Sequence, residues 1–210
     1  MAKQVEVRDS SIAGAGRGLF ALQDFSPGDI VLRLARPNVT ELYMDRMGNT
    51  CAWCFLRGAA DPSEREGPVA NDLPTGFVET KACQGCQKVR YCSKICQTKA
   101  WKREHKYECA ALKPEERPDL PEGVRAVIKL LGRLKADPEG KDEELLEILK
   151  FKPSLDAEMM EKFSKRQPQM FEEWQTMAYA AWKYAGEPVM GDTDSLPLAK
   201  AFYYNVSGSY

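Results

Sequence analysis

All seven cysteines and the only histidine of this 210-residue chain fall into pairs. In chain order the pairs are Cys51/Cys54, Cys83/Cys86, Cys92/Cys96 and His105/Cys109. A two-residue gap lets both thiolates of a Cys-x-x-Cys turn reach one metal ion, and a closed structural zinc site takes four nitrogen or sulfur ligands. Eight ligands in this order predict two tetrahedral zinc sites that use every cysteine and histidine.

The alternative interpretation of these residues is disulfides or scattered buried thiols. An odd number of cysteines would leave one unpaired, and residues 1–6 lack the apolar core of a secretion signal. We therefore favour zinc. Because thiols must stay reduced to bind metal, we expect a reducing compartment, which is the nucleus or the cytoplasm.

Composition excludes some classes of function and leaves others open. A hydrophobic fraction of 43% is ordinary for a globular chain, and no apolar run approaches the roughly 20 residues of a membrane span. The net charge of −1 does not predict a nucleic-acid partner. Basic residues nevertheless crowd the second half of the Cys/His region, opposed by Glu104 and Glu108. We favour a solvated face that offsets the thiolates over a nucleic-acid patch, and we rank nucleic-acid binding last.

The pattern predicts an α+β fold in three parts: an N-terminal β segment (1–50), a zinc finger (51–109) and a helical region (110–210). In the first part, 5–7, 18–21 and 30–34 are predicted strands, and Ser26-Pro27-Gly28-Asp29 is a predicted turn. Charged, proline-containing residues 57–75 are predicted to be a loop. Apolar spacing then predicts five helices: one after Pro121 that carries Val124 to Leu134, and others near 142–150, 155–165, 170–185 and 195–204.

The sequence around the later pairs carries a family resemblance. Residues 83–96 read CQGCQKVRYCSKIC, and residues 100–109 read AWKREHKYEC. This closely resembles a MYND-type zinc finger, including positions that are not ligands. The resemblance implies that the pairs interleave, so that one zinc ion takes Cys51, Cys54, Cys92 and Cys96, and the other takes Cys83, Cys86, His105 and Cys109. It also implies a groove for proline-containing peptides beside Trp53, Tyr91 and Trp101, although packing beside the zinc is the alternative for each ring, and for Trp101 we favour it.

Residues 9–21, DSSIAGAGRGLFA, look like the opening of a SET domain, and Pro27-Gly28-Asp29 follows at the spacing that the SET family shows. This segment, then a MYND finger, then helices, is the order of the SET and MYND family of protein-lysine methyltransferases. The resemblance implies that Ala15, Gly16 and Arg17 lie along S-adenosylmethionine and that Asn205 touches it. A plain hairpin turn and a helix-terminating asparagine are the alternatives.

The Asn-His-Ser-Cys motif on which catalysis in that family rests does not occur in these 210 residues. Because methyl transfer needs the cofactor, the lysine amine and a tyrosine aligned in one pocket, we expect this chain alone not to be a working methyltransferase. Two hypotheses remain. The chain is the N-terminal portion of an enzyme that methylates lysine in proteins such as histones, or it is an adaptor whose finger binds proline-containing peptides of partner proteins.

Overall fold

The structure, a computed structural model, describes residues 4–12, 17–33, 37–58, 78–113, 119–137, 139, 141, 157–190 and 193–207. The chain separates into two compact units, Met1–Asn38 and Val39–Tyr210. The finger and the helical region therefore belong to the same unit. Most of the predicted loop 57–75 and the whole predicted helix 142–150 lie outside the described residues.

The N-terminal unit contains one antiparallel hairpin, formed by β1 (Val5–Asp9) and β2 (Arg17–Ala21). Val7 faces Leu19 across the hairpin, and these side chains are 57% and 54% exposed. On the opposite face the Arg8 guanidinium lies 4.1 Å from the centre of the Phe20 ring. The hairpin thus keeps an apolar cross-strand pair in contact with solvent.

The predicted turn after β2 is confirmed, and the predicted strand 30–34 is wrong over the residues that the structure describes. Asp29 donates its backbone N–H to the Ser26 carbonyl at 3.0 Å. Gly28 has a φ of 95°, a conformation that would be strained for a residue with a side chain. Residues 30–33 form no strand, and Ile30 and Leu32 are 58% and 46% exposed. A strand needs a neighbour to pair with, and none accompanies this segment in the described part of the unit.

The finger consists of short elements built around its Cys/His pairs. A two-stranded ladder joins β3 (Lys81–Ala82) and β4 (Arg90–Tyr91). The chain then continues through α1 (Lys94–Ala100), a π-helical stretch (Trp101–His105) and α2 (Lys106–Glu108). Cys51 also forms a parallel bridge with Arg90, which ties the first pair to this ladder.

Helices occupy the C-terminal part, as predicted. They are α3 (Glu122–Ala136), α4 (Ala157–Arg166), α5 (Pro168–Tyr184) and α6 (Leu196–Ser207). A short hairpin of β5 (Val189–Met190) and β6 (Thr193–Asp194), which the sequence analysis did not predict, precedes α6.

Helix α3 lies at the centre of the second unit. Its side chains at Val124, Val127, Ile128 and Leu131 are fully buried, each stabilising the fold by about 1.5–3 kcal/mol. Helices α5 and α6 pack against it. Helix α5 contributes Ala178 and Ala181, and α6 contributes Ala199, all at 0% exposure.

The aromatic stripe predicted on α5 is confirmed as packing. Trp174 lies 4.8 Å from Phe163 of α4 and 5.8 Å from Tyr204 of α6, measured between ring centres. Gln175 donates a hydrogen bond to the Tyr204 hydroxyl. These contacts hold α4 and α6 against α5.

The finger docks on α3 through a glycine. A Cβ atom at Gly132 would lie 2.5 Å from Cβ of Tyr107 in α2, far inside van der Waals contact. No side chain fits between the two helices at this point. The finger and the helical region therefore share one packed interface. None of the helices in the described part of the chain has the length and apolarity that a bilayer crossing demands.

Candidate metal centre

The structure brings the eight predicted ligands together in two sets of four. The first cluster holds Cys51, Cys54, Cys92 and Cys96, and the second holds Cys83, Cys86, His105 and Cys109. Within each cluster the ligand atoms lie within 4.8 Å of one another. This is the interleaved arrangement that the MYND resemblance implies, in which each cluster joins segments far apart in the sequence.

The same backbone turn occurs at both Cys-x-x-Cys pairs. The amide of Phe55 donates to the carbonyl of Cys51 at 2.9 Å, and the amide of Gln87 donates to that of Cys83 at 2.8 Å. Phe55 and Gln87 have φ angles of 61° and 58°. A left-handed residue after the second cysteine turns the chain back on itself, so both thiols of each pair point to the same side.

Helix α1 begins where the third pair requires it. The hydroxyl of Ser93 accepts a hydrogen bond from the amide of Cys96 at 3.2 Å and caps the helix. The cap holds the Cys92 and Cys96 sulfur atoms 3.5 Å apart. The wider π-helical turn that follows shifts the helical register between Cys96, in the first cluster, and His105, in the second.

The distances between ligand atoms fit zinc. A tetrahedral ion with bonds of about 2.3 Å to sulfur places two sulfur atoms about 3.8 Å apart, and an imidazole nitrogen about 3.5 Å from each sulfur. In the second cluster Cys83 and Cys109 are 3.8 Å apart, and His105 Nε2 lies 3.3 Å from Cys83 Sγ and 3.7 Å from Cys86 Sγ. In the first cluster Cys54 Sγ lies 3.5 Å from Cys92 Sγ.

A glycine gives the second cluster its room. A Cβ atom at Gly85, inside the Cys83/Cys86 turn, would lie 2.9 Å from the sulfur of Cys109. The backbone of the turn therefore comes close to a ligand from a different segment. This close approach, together with the thiolate and imidazole donor set, supports a four-coordinate ion here.

The clusters differ in exposure. In the first, Cys51 and Cys96 are buried, but Cys92 is half-buried and Cys54 is exposed. In the second, all four ligands are buried, with Cys86 at 0% and His105 at 2% exposure. Solvent and chelators therefore reach one cluster more readily than the other.

Each cluster contains thiols of unequal acidity. Burial raises the pKa of Cys51 and of Cys83, but hydrogen bonds from backbone N–H groups outweigh burial and lower each pKa to about 7. The donors are Cys54 and Cys92 for the Cys51 thiol, and Cys86 for the Cys83 thiol. Burial and neighbouring thiols raise the pKa of Cys54 and of Cys109 to about 12. At neutral pH a zinc ion must therefore displace protons from Cys54 and Cys109.

The second cluster has a supporting carboxylate. His105 Nδ1 lies 2.9 Å from Oε1 of Glu108, one helical turn further on, while Nε2 faces the sulfur atoms. Burial lowers the pKa of His105, but the hydrogen bonds to Cys86 and Glu108 have the larger effect and raise this pKa to about 10. A more basic imidazole of fixed tautomer is a stronger zinc ligand.

Glu108 is in turn held by a buried ion network. Lys129 Nζ of α3 lies 3.3 Å from Glu108 Oε1 and 2.8 Å from Glu41 Oε1. Arg125 Nη1 lies 2.7 Å from Glu41 Oε2. Burial raises the pKa of Glu108, but Lys129 and His105 outweigh it and lower that pKa.

Three further hydrogen bonds extend this network, and two of them attach residues 40–42 to it. Arg125 donates to the carbonyls of Leu120 and Leu42, and Lys129 donates to the carbonyl of Thr40 at 3.0 Å. This network was not predicted from the sequence. The available signal was the four-residue spacing of Arg125, Lys129 and Arg133 on a helix that is otherwise apolar, a pattern that ordinarily marks a solvated face.

From the sequence, Glu104 and Glu108 were expected to offset the positive charge of the basic surface. In the structure they do not, because both are buried. They are 3% and 1% exposed, and their carboxylates are used internally. Thr40 donates to Glu104 at 3.3 Å, and Glu108 supports His105. The exposed basic residues of the finger therefore face solvent without these two acids; they are Lys81, Lys94, Lys99, Lys102 and Lys106.

The predicted aromatic groove is only partly available at the surface. Tyr91 is 3% exposed, and its ring packs edge-on against His105 at 5.8 Å between centres. Trp101 also packs edge-on against His105, at 5.9 Å, but 47% of it remains exposed. Trp53 is half-buried against the core. Packing beside the cluster therefore accounts for Tyr91, while Trp101 keeps an accessible face.

The contacts with S-adenosylmethionine that the sequence predicts stay predictions. Ala15 and Gly16 lie outside the described residues. Arg17 begins β2 and Asn205 lies near the end of α6, and the structure describes the backbone of each without its side chain.

Two interleaved four-ligand clusters define the class of cross-braced zinc fingers. A family model described as "MYND finger" matches residues 51–109, so this region is a MYND finger.

The chain is also similar to longer proteins. It is 31% identical over 145 residues to N-lysine methyltransferase SMYD2 of Homo sapiens, which covers 68% of this chain and 29% of that protein. It is 30% identical over 139 residues to Histone-lysine N-methyltransferase ASHR1 of Arabidopsis thaliana, covering 66% and 24% of the two chains. SET domain-containing protein 14 of Caenorhabditis elegans is 34% identical over 73 residues, covering 35% and 17%.

The chain is therefore homologous to SET and MYND methyltransferases over about two thirds of its length. It spans less than a third of the length of these relatives.

Proposed function

We propose that residues 51–109 bind two zinc ions, through Cys51, Cys54, Cys92 and Cys96 in the first cluster and Cys83, Cys86, His105 and Cys109 in the second. The observation that carries this proposal is the agreement between the ligand distances and tetrahedral zinc, in a region that is a MYND finger. The ions supply cross-links that so small a module cannot obtain from its core.

The direct test is the metal content of the purified chain. Elemental analysis should give two zinc ions per chain, and free-thiol counting after denaturation in chelator should recover all seven cysteines. Fewer than two ions, or thiols lost to disulfides, would contradict this part of the proposal.

We further propose that the chain forms the N-terminal portion of a SET-type protein-lysine methyltransferase, in which the finger docks protein partners or substrates. Homology to SMYD2 and ASHR1 over two thirds of the chain supports this proposal. The exposed apolar pair Val7 and Leu19 gives independent support, because a hairpin with one apolar face gains stability from further strands or a covering layer.

In such an enzyme, S-adenosylmethionine would supply the methyl group. Ala15, Gly16, Arg17 and Asn205 are the residues of this chain that would lie along it. The Asn-His-Ser-Cys motif would come from residues outside these 210, so the chain by itself should not transfer methyl groups.

Intact mass spectrometry of the protein from its own cells tests this second proposal. A mass well above 23.6 kDa, with peptides that continue after Tyr210 and carry the missing motif, is the expected result. A native mass near 23.6 kDa plus two zinc ions would contradict it and favour the adaptor.

An adaptor that binds proline-containing peptides is the second candidate, favoured by the exposed face of Trp101. Aromatic faces beside a rigid scaffold suit proline-rich ligands. A peptide-binding titration with Trp101→Ala tests it, with Tyr179→Ala, equally exposed at 47%, as the matched control. Loss of binding in Trp101→Ala alone would support the adaptor, and equal binding by both variants would contradict it.

A further inference from the structure

The buried ion network between α3 and the finger ends on the metal-binding imidazole. From the helical side it runs from Lys129 to Glu108 and from Glu108 to His105, over distances of 3.3 and 2.9 Å. The side chains of Lys129, Glu108 and His105 are 7%, 2% and 2% exposed. The chain of contacts is therefore shielded from water along its whole length.

Lys129 itself is held from a second direction. Its ammonium group lies 2.8 Å from Glu41 and donates to the carbonyl of Thr40 at 3.0 Å. Arg125, one turn earlier on α3, fixes Glu41 at 2.7 Å. The position of Lys129 is thus set by α3 and by the segment before the finger, and not by the zinc ligands.

Stability alone gives no reason for this arrangement. Removing charges from water is costly, and apolar residues of similar size in place of a buried ion network are often neutral or stabilising. Positions 125 and 129 lie on a helix whose neighbouring side chains are almost all apolar and buried. The cations are therefore best explained by what they contact.

We infer that Lys129 and Glu41 are positioning residues of the second zinc site, because they fix the Glu108 carboxylate that orients His105. The inference rests on zinc binding by the second cluster, as proposed above. Glu108 accepts a hydrogen bond from the Nδ1–H group of His105, so that Nε2 faces the metal, and Lys129 keeps Glu108 at that position. The helical region thereby controls the affinity of one of the two sites.

The consequence is selective. Supporting groups around a metal-binding histidine typically change metal affinity about tenfold to hundredfold. The first cluster has four cysteines and no imidazole, so Lys129 has no comparable route to it. Removing Lys129 should weaken the second site and leave the first unchanged.

The test compares the zinc-loaded 210-residue chain with Lys129→Met, in which the charge is removed and the apolar stem is kept. Zinc transfer to an excess chromogenic chelator should proceed in two phases, one for each ion. We expect one phase to accelerate about tenfold to hundredfold in Lys129→Met and the other to stay within twofold. Lys129→Arg should restore at least part of the slower rate, since the charge returns.

A spectroscopic measurement assigns the affected phase. His105 is the only histidine, so a long-range proton–nitrogen spectrum contains a single imidazole. In the wild type it should report Nδ1 protonated and protected from exchange, and in Lys129→Met this proton should exchange faster. A purely structural contribution of Lys129 would not move this signal while the first site kept its rate.

Lys88→Met is the matched control, because Lys88 also belongs to an ion pair, with Asp119 at 2.7 Å, but is 39% exposed. It should leave both phases unchanged. Unchanged release of both ions in Lys129→Met, or equal acceleration of both, would overturn the inference. A wild type with fewer than two zinc ions would instead contradict the zinc proposal itself.

If Lys129→Met does not fold, the same measurements are made on Glu41→Gln. This variant removes the carboxylate that pairs with Lys129 and keeps the side chains of Lys129 and Glu108. Acceleration confined to one ion, together with faster exchange at Nδ1, would support the inference. Unchanged kinetics in a folded Glu41→Gln protein would overturn it.

Discussion

The two metal clusters begin from the same local structure and end in different surroundings. Both use a Cys-x-x-Cys turn closed by a left-handed residue, Phe55 in the first and Gln87 in the second. The first cluster then reaches the surface at Cys54, whereas the second is buried throughout and is supported by Glu108. Ligand spacing therefore specifies that a metal site forms, while the packing around it decides how firmly the ion is held.

The difference gives the clusters different structural roles. The first joins residues near the start of the finger to α1. The second lies against α3, where Tyr107 packs on Gly132 and Glu108 meets Lys129. Loss of the second ion should therefore affect the helical region, and loss of the first should stay local.

The largest expected effect comes from removing one ligand from each cluster. Cys86→Ala should lose the second ion and unfold the finger, because the binding free energy of a structural zinc, about 10–16 kcal/mol, is largely folding free energy. Cys54→Ala should lose or weaken the first ion and lower the melting temperature less. Zinc content and thermal unfolding of both variants measure the difference. Equal destabilisation would remove the distinction between the clusters.

The next effect concerns the interface between the finger and α3. Gly132→Ala places a methyl group 2.5 Å from Cβ of Tyr107, so the two helices must separate. We expect a loss of about 3 kcal/mol in unfolding free energy, measured by urea denaturation with zinc present. Gly48→Ala is the control, because a Cβ there meets nothing within 4 Å. A Gly132→Ala protein as stable as Gly48→Ala would show that the helices do not pack as described.

A smaller effect is expected inside the second cluster. Gly85→Ala brings a methyl group 2.9 Å from Cys109 Sγ and should displace that ligand by a few tenths of an ångström. We expect about 2 kcal/mol of lost zinc affinity, seen as faster transfer of one ion to a chelator. The first ion should leave at its wild-type rate, and acceleration of both would argue against a local cause.

Zinc affinity should fall as the pH is lowered. The pKa of Cys54 and of Cys109 is about 12, that of His105 is about 10, and burial raises the pKa of Cys92. Zinc therefore displaces at least two protons from each site near pH 7, and the affinity of each site should fall at least about a hundredfold per pH unit. Below about pH 7 Cys51 and Cys83 also become protonated, so the slope should steepen. Competition titrations at pH 8, 7 and 6 check this, and an affinity independent of pH would contradict thiolate ligation.

The smallest effect tests the feature that the clusters share. Phe55→Gly and Gln87→Gly each replace a left-handed residue with one that adopts this conformation without strain. Each should raise the unfolding free energy by about 0.5 kcal/mol, because the relief of strain exceeds the entropic cost of glycine. Thermal unfolding of the two variants in parallel measures the effect. A large effect at only one turn would show that the turns are not equivalent.

Sequence reasoning reached the features that depend on local spacing. The spacing of the Cys/His pairs is local, and the structure gathers these residues into two clusters. The periodicity of α3 and the aromatic stripe of α5 repeat every three or four residues, and both predictions are confirmed. The strand at 30–34 was not, because an extended apolar segment becomes a strand only beside a partner.

The buried network was missed for a related reason. Charges at Arg125, Lys129 and Glu108 have the composition of a surface, and only the tertiary arrangement shows that they face one another. Likewise, nothing in the sequence around Gly85 and Gly132 shows that a glycine is required there. The residues that leave no room for a side chain, Cys109 and Tyr107, are distant in the sequence. Long-range contacts of this kind leave no periodic signal.

Native mass spectrometry of the zinc-loaded chain during a chelator titration tests the central claim most directly. We predict a starting mass with two zinc ions, then a species with one ion that keeps the low charge states of a compact protein, and finally a metal-free species with the high charge states of an unfolded finger. A chain purified with no zinc or one zinc ion, or one that loses both ions together and stays compact, would contradict the account.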